Sequence, residues 1–239
     1  MTEIGPPGGQ RSMANAATSW GYQSHNGPAL WGTLDRAFRA CALGTEQSPI
    51  DLTGGRRAEL APVEFDYGRS RIEVENTGHT IQINPEPGHG IVLDGTRHEL
   101  SQFHFHRASE HLVDGVPYPM ELHLVHRDGG GGLAVVGVLI CEGEENAALA
   151  PAWACLPPDP GESRAISGEI DLAALLPPFG TTWRYRGSLT TPPCTEGVAW
   201  IVPDEPLPMS PAQIAAFAAI YPNNRRPVQP LGDRDLWRG

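Results

Sequence analysis

His104-Phe105-His106 and the run Glu121-Leu122-His123-Leu124-Val125-His126 hold the densest chemistry of the chain. Of its 9 histidines, six (His98, His104, His106, His111, His123 and His126) fall between positions 98 and 126. Side chains of a strand point alternately to opposite faces, so His104 and His106 stand side by side on one face. Two such imidazoles and a third from a neighbouring strand give the open three-nitrogen geometry of a catalytic zinc. Parity sorts the rest. Gln102, His104 and His106 share one face, with Phe103 and Phe105 on the other; Glu121, His123 and Val125 share a face opposite Leu122, Leu124 and His126. Each histidine run therefore carries a polar acceptor two positions before a candidate ligand, Gln102 before His104 and Glu121 before His123. Such a group takes the ring N–H that the metal does not use and fixes the tautomer. A buried glutamate without partners is costly, which is a further reason to pair Glu121 with His123. His98, His111 and His126 are expected as hydrogen-bonded core histidines.

The elements that must position these residues read as strands. Short β-branched or aromatic runs bounded by Gly, Pro, Asn or Asp occur at 63–65, 71–74, 80–84, 90–93, 99–106, 120–126 and 133–141. Few helical patterns separate them, which favours antiparallel pairing over βαβ units. Asp128 and the four glycines after it form a loose hairpin loop. Helices are expected at 144–154 and 211–220, the second with Ser210 as N-cap, Pro211 in the first turn, a capping-box Gln213 and Pro222 as its stop.

With 239 residues and 40% hydrophobic content the chain can bury one core, giving a single mainly-β domain over 19–239 with a few peripheral helices. Residues 1–12 are Gly/Pro-rich and polar, and a second Met stands at 13. Residues 1–18 are read as a disordered leader, native or left where a signal was removed, because no charged-then-apolar signal pattern is present. A net charge of −11 argues against nucleic acid or an anionic membrane as partner. No apolar run is long enough for a membrane helix. Four cysteines lack CxxC spacing. Cys41 and Cys194 each flank a turn-rich segment, and spacing alone leaves a bridge or two free thiols open; Cys141 and Cys155 are read as buried thiols.

The motif His104-x-His106-x3-Glu110 also fits the metal motif of cupins, β-barrels in which two His and a Glu hold iron or manganese. The flanking glycines of that motif are here His98 and Pro117, and no second cupin motif follows.

Gln102 to His106, Ser109-Glu110-His111, Glu121 to His126 and Gly187-Ser188-Leu189-Thr190-Thr191-Pro192-Pro193 together resemble the α-class carbonic anhydrases, in their bacterial form. So do Trp20-Gly21-Tyr22, His25-Asn26-Gly27-Pro28, Gln47 to Asp51, Gly78-His79, Trp200-Ile201-Val202 and Asn224 to Leu231, so the likeness spans nearly the whole chain. The resemblance implies a large, twisted, mostly antiparallel sheet and reversible CO₂ hydration to bicarbonate, with weak ester hydrolysis as a side activity. It implies Zn²⁺ on His104, His106 and His123 with water or hydroxide as fourth ligand, and Gln102, Glu121 and Asn224 behind the ligands. Thr190 would orient the hydroxide, its own proton committed to Glu110. Val125, Val135, Leu189, Thr191, Val198 and Trp200 match the substrate pocket, His79 the proton shuttle, and Tyr22 its companion in the water network. Thr77 and Gln82 stand where asparagines commonly line that network, and Arg107 and Arg225 where animal enzymes often carry Trp. Sulfonamide and anion inhibitors are expected, and self-association into a homodimer is left open. Bacterial members with one disulfide imply a Cys41–Cys194 bridge, and with it a periplasmic or secreted location, with a cytoplasmic one as the alternative because no signal pattern is read. Relatives that are catalytically silent binding modules typically lose a zinc histidine; this chain keeps all three.

Overall fold

The runs that carry the histidines lie in the middle of one sheet, flanked on both sides by further strands. A computed structural model of the protein describes residues 19–239, so the leader expected at 1–18 lies outside the described residues. The central strands are β1 (Ile72–Asn76), β2 (Ile81–Pro85), β3 (Thr96–His106), β4 (Met120–Asp128), β5 (Leu133–Glu142), β6 (Thr182–Ser188) and β7 (Glu196–Pro203). Their spatial order is β1-β2-β3-β4-β5-β7-β6. Ser163–Ala165 extends the β1 edge, and Leu236–Arg238 followed by Arg56–Arg57 extends the β6 edge. Neighbours from β1 to β5 pair antiparallel, as do β6 and β7. β7 runs parallel to β5, and so does Leu207–Met209, which makes the sheet mixed.

Both faces of the sheet are covered, which explains why β5 is apolar at nearly every position instead of alternating. One face packs Phe103, Phe105, Leu122, Leu124 and Val136 with Ile214 and Phe217 of the helix Pro211–Ile220. The other packs Val135, Leu139, Tyr185, Val198, Trp200 and Val202. The helix Pro211–Ile220 begins as its sequence predicts: Ser210 Oγ accepts from Gln213 N and Gln213 Oε1 accepts from Ser210 N, both at 3.2 Å. The glycine loop after β4 is closed by Asp128, whose Oδ1 accepts from Gly130 N and Gly132 N at 2.7 Å each.

The helix expected at 144–154 is a correction. Only Ala150–Trp153 is α-helical. Pro151 has no N–H, so it fits the first turn of a helix but not a position deep inside one. Ahead of it the chain is held as a turn, with Asn146 Oδ1 accepting from Leu149 N at 3.2 Å and Asn146 N donating to Gln213 Oε1 at 2.9 Å.

Candidate metal centre

Strand register brings the three histidines together. His123 of β4 stands opposite His104 of β3, and Glu121 stands opposite His106. Ring centroids are 5.3 Å apart for His104–His123, 5.0 Å for His104–His106 and 4.5 Å for His106–His123. One nitrogen from each ring converges within 4.8 Å of the others. His106 and His123 are each 1% exposed, whereas His104 keeps partial exposure and faces the opening.

The nitrogen that faces inward is decided by what the other one does. His104 Nδ1–H donates to Gln102 Oε1 at 2.9 Å and His106 Nδ1–H to the Asn224 carbonyl at 2.8 Å, so each leaves Nε2 free. His123 is turned the other way: its Nε2–H donates to Glu121 Oε1 at 2.8 Å and leaves Nδ1 free. Burial lowers the pKa of all three rings, that of His106 to about 4, so they are neutral near pH 7 and offer lone pairs. His106 Nε2 is a buried acceptor with no partner in the protein.

Glu121 is fully buried and accepts four hydrogen bonds. Oε2 takes Glu110 N and His111 N at 2.8 Å each, and Oε1 takes His111 Nδ1–H at 2.7 Å besides His123. Burial alone would raise this carboxyl, but the electrostatic attraction of the adjacent His111 and His123 rings and the hydrogen bonds they donate carry it well below the ordinary carboxylate range. His111 is thus the hydrogen-bonded core histidine expected, and it also anchors the carboxylate to the sheet behind it. Its Nε2 accepts from Tyr185 Oη at 2.7 Å, which in turn meets Ser48 Oγ at 2.8 Å. The relay Ser48–Tyr185–His111–Glu121–His123 fixes each tautomer in turn. His126 bonds Tyr67 Oη at 2.6 Å and His98 the Thr96 carbonyl at 3.0 Å, both as structural histidines.

Two residues of this site have no role in the sequence read alone. Gly137 of β5 stands opposite His123, and a Cβ there would meet Glu121 Oε1 at 2.9 Å and the Trp200 ring at 3.2 Å. A lone glycine inside an apolar strand is the signal of such a close approach. Arg226 is 1% exposed; its backbone N donates to Glu110 Oε1 at 2.7 Å while its guanidinium bonds Gln47, Ser48 and the Cys41 carbonyl at 2.8 Å.

Glu110 is buried, and burial pushes its carboxyl up to about 7 against the opposing pull of His123, the Arg226 N–H and the Thr190 hydroxyl. Thr190 is 5% exposed and sits beside it, in the loop that Cys194 closes by donating N–H to the Thr191 carbonyl at 2.8 Å. The Cys41–Cys194 disulfide is formed across a sequence separation of 153 residues, which is compatible with an oxidising compartment; Cys141 and Cys155 are free and partly exposed rather than buried. Val135, Val198 and Trp200 are buried in the same apolar cluster that Val125 and Leu189 join, and the Trp200 ring lies 4.9 Å from that of His123. His79 is partly buried on the loop between β1 and β2, its ring stacked on Trp20 at 3.7 Å and 9°. Burial lowers its pKa. Tyr22 packs edge-on against Trp20 and Trp31, and burial, with the Glu110 charge, raises its phenol well above the usual range.

The donor set suits a borderline-soft dication. Three neutral imidazole nitrogens with their second nitrogens occupied, one of them a buried orphan, fit zinc and leave a fourth direction open. A family model for eukaryotic-type carbonic anhydrases matches residues 26–238. The chain belongs to that family. A carbonic anhydrase of Klebsiella pneumoniae is 43% identical over 221 residues, 91% of this chain and 90% of that protein. One from Nostoc sp. is 43% identical over 230 residues, covering 93% and 87%. The solved α-carbonic anhydrase of Thermovibrio ammonificans, in complex with the inhibitor sulfanilamide, matches with TM-score 0.90 and 43% identity over 93% of this chain and 100% of that one. Carbonic anhydrase membership overturns the cupin alternative; Glu110, the cupin-type third ligand, accepts from the Arg226 N–H through Oε1. Among the described residues no helix is long and apolar enough to cross a membrane.

Proposed function

We propose that residues 19–239 form a single catalytic domain that converts CO₂ and water to bicarbonate and a proton, reversibly, with zinc on His104 Nε2, His106 Nε2 and His123 Nδ1. The observation that carries this is the convergence of three neutral ring nitrogens whose outer nitrogens are all committed elsewhere. Zinc bound by neutral imidazoles supplies a Lewis acid that lowers the pKa of a water to about 7. Thr190, its proton committed to Glu110, can only accept a hydrogen bond from the nucleophile and so favours a protonated oxygen with its lone pair aimed at substrate. Val125, Val135, Leu189, Val198 and Trp200 give an apolar wall suited to an uncharged molecule without donors, with Thr191 at its edge. Burial desolvates that wall before substrate arrives.

The proton must leave for buffer each cycle. His79 is the acceptor on this reading: its lowered pKa keeps the imidazole neutral and able to take a proton near pH 7. Tyr22 stays protonated and orders water along the way. The sulfanilamide complex of the Thermovibrio relative supports inhibition of this chain by sulfonamides. The disulfide supports a periplasmic or secreted location. Stopped-flow CO₂ hydration tests the function: sulfonamide-sensitive turnover is expected, and a purified, zinc-supplied protein without hydration activity would overturn it in favour of a silent binding module.

A further inference from the structure

The loop that presents His79 is held from outside itself. Asn76, where the loop begins, is 1% exposed and bonded at every polar atom. Its N donates to the Glu162 carbonyl at 2.9 Å and its carbonyl accepts from Gly161 N at 2.7 Å. Its Nδ2 donates to the Pro157 and Pro158 carbonyls at 3.0 and 3.2 Å. Oδ1 accepts from Gly78 N at 3.0 Å, an Asx turn, and also from the Tyr221 hydroxyl. Gly78 has φ +85°, a conformation that suits glycine, and the peptide it shares with His79 sets the direction in which the imidazole leaves the loop.

Three residues beyond Tyr221, Asn224 Nδ2 donates to the His79 carbonyl at 3.1 Å, and the Asn224 carbonyl accepts from His106 Nδ1 at 2.8 Å. Residues 221–224 therefore grip the loop on both sides of the His79 Cα and reach a candidate metal ligand as well. The stack on Trp20 fixes the ring plane; the grip fixes where the ring is planted.

We propose that Tyr221 is a positioning residue for proton export: its hydroxyl pins the Asn76–Gly78 turn and, through it, the placement of the His79 imidazole. The inference rests on the reading of His79 as the group that carries the proton out. Tyr221 touches no reacting atom.

Tyr221→Phe removes one oxygen and keeps the ring against Phe217, whose centroid lies 5.9 Å away. The experiment compares wild type, Y221F, H79A and the double variant in weak buffer, with and without imidazole. Losing one hydrogen bond should lower kcat for Y221F by about fivefold, with imidazole restoring it. Because bicarbonate forms before the proton is exported, kcat/KM for CO₂ should stay within about twofold. On the H79A background the second substitution should add nothing. If kcat and kcat/KM fall together, or the same loss recurs on the H79A background, Tyr221 is a structural prop and the inference fails. It fails alone if H79A shows the rescuable loss and Y221F does not. If H79A itself shows none, the shuttle reading falls and takes the inference with it.

Discussion

Glu121→Gln is the sharpest perturbation of the site that leaves volume and shape nearly untouched. The wild-type carboxylate accepts from Glu110 N and His111 N through Oε2, and from His111 Nδ1 and His123 Nε2 through Oε1, at 2.7 to 2.8 Å. An amide has one oxygen and one NH₂. Turned either way, it leaves two buried donors facing another donor. At about 1–3 kcal/mol for each buried donor left unsatisfied, the metal-free protein should lose about 2–6 kcal/mol of stability. The same change releases the His123 tautomer, since Glu121 is what pins Nε2–H, and zinc affinity should fall by about 10–100-fold. Urea unfolding of the chelator-treated protein reads the first effect, and zinc titration against a competing chelator reads the second. An E121Q protein within about 0.5 kcal/mol of wild type, with unchanged zinc affinity, would refute the relay.

Removal of the disulfide by the paired change Cys41→Ser and Cys194→Ser frees the unfolded chain of a cross-link spanning a sequence separation of 153 and should cost up to about 5 kcal/mol in chain entropy, measured as a drop in urea midpoint with an m-value that rises as the unfolded chain expands. An unshifted midpoint would argue against a structural bridge. His126 supplies a pH signature. Burial holds its folded-state pKa at about 4, below the ordinary 6.5, so the unfolded chain binds the proton more readily. Its contribution is level above pH 6.5, falls as pH drops toward 4 and is constant below that, a loss of about 3 kcal/mol. A His126→Gln protein should show that much less acid destabilisation; an unchanged pH slope would contradict the burial argument.

Much of the site is legible in the sequence because period-two patterning is strict where one face carries chemistry. Parity alone separates His104, His106 and His123 from His126, and pairs Gln102 and Glu121 with their histidines as the structure does. The strands at 90–93, 99–106, 120–126 and 133–141 emerge to within a few residues for the same reason. β6 does not, although Trp183 and Tyr185 point inward while Arg184 and Arg186 point out; arginine-rich alternation reads as a polar loop until burial is known. The third outer acceptor, the Asn224 carbonyl, is backbone, so strand parity cannot find it; Asn224 is named behind the ligands through the family likeness alone. Arg226, Tyr221 and Ser48 reach the site across more than a hundred residues of chain through contacts that only the folded sheet creates, so their roles do not show in residue pattern. The disulfide is open on spacing and follows from the family likeness alone.

That His104, His106 and His123 hold one zinc in a catalytic site is the central claim. Metal analysis of the purified protein and of its His123→Ala variant, each paired with a CO₂-hydration assay, tests it most directly. One zinc per wild-type chain with hydration activity is expected, and loss of both in the variant while the fold survives. Iron in place of zinc, or an H123A protein that keeps its zinc and its turnover, would contradict it.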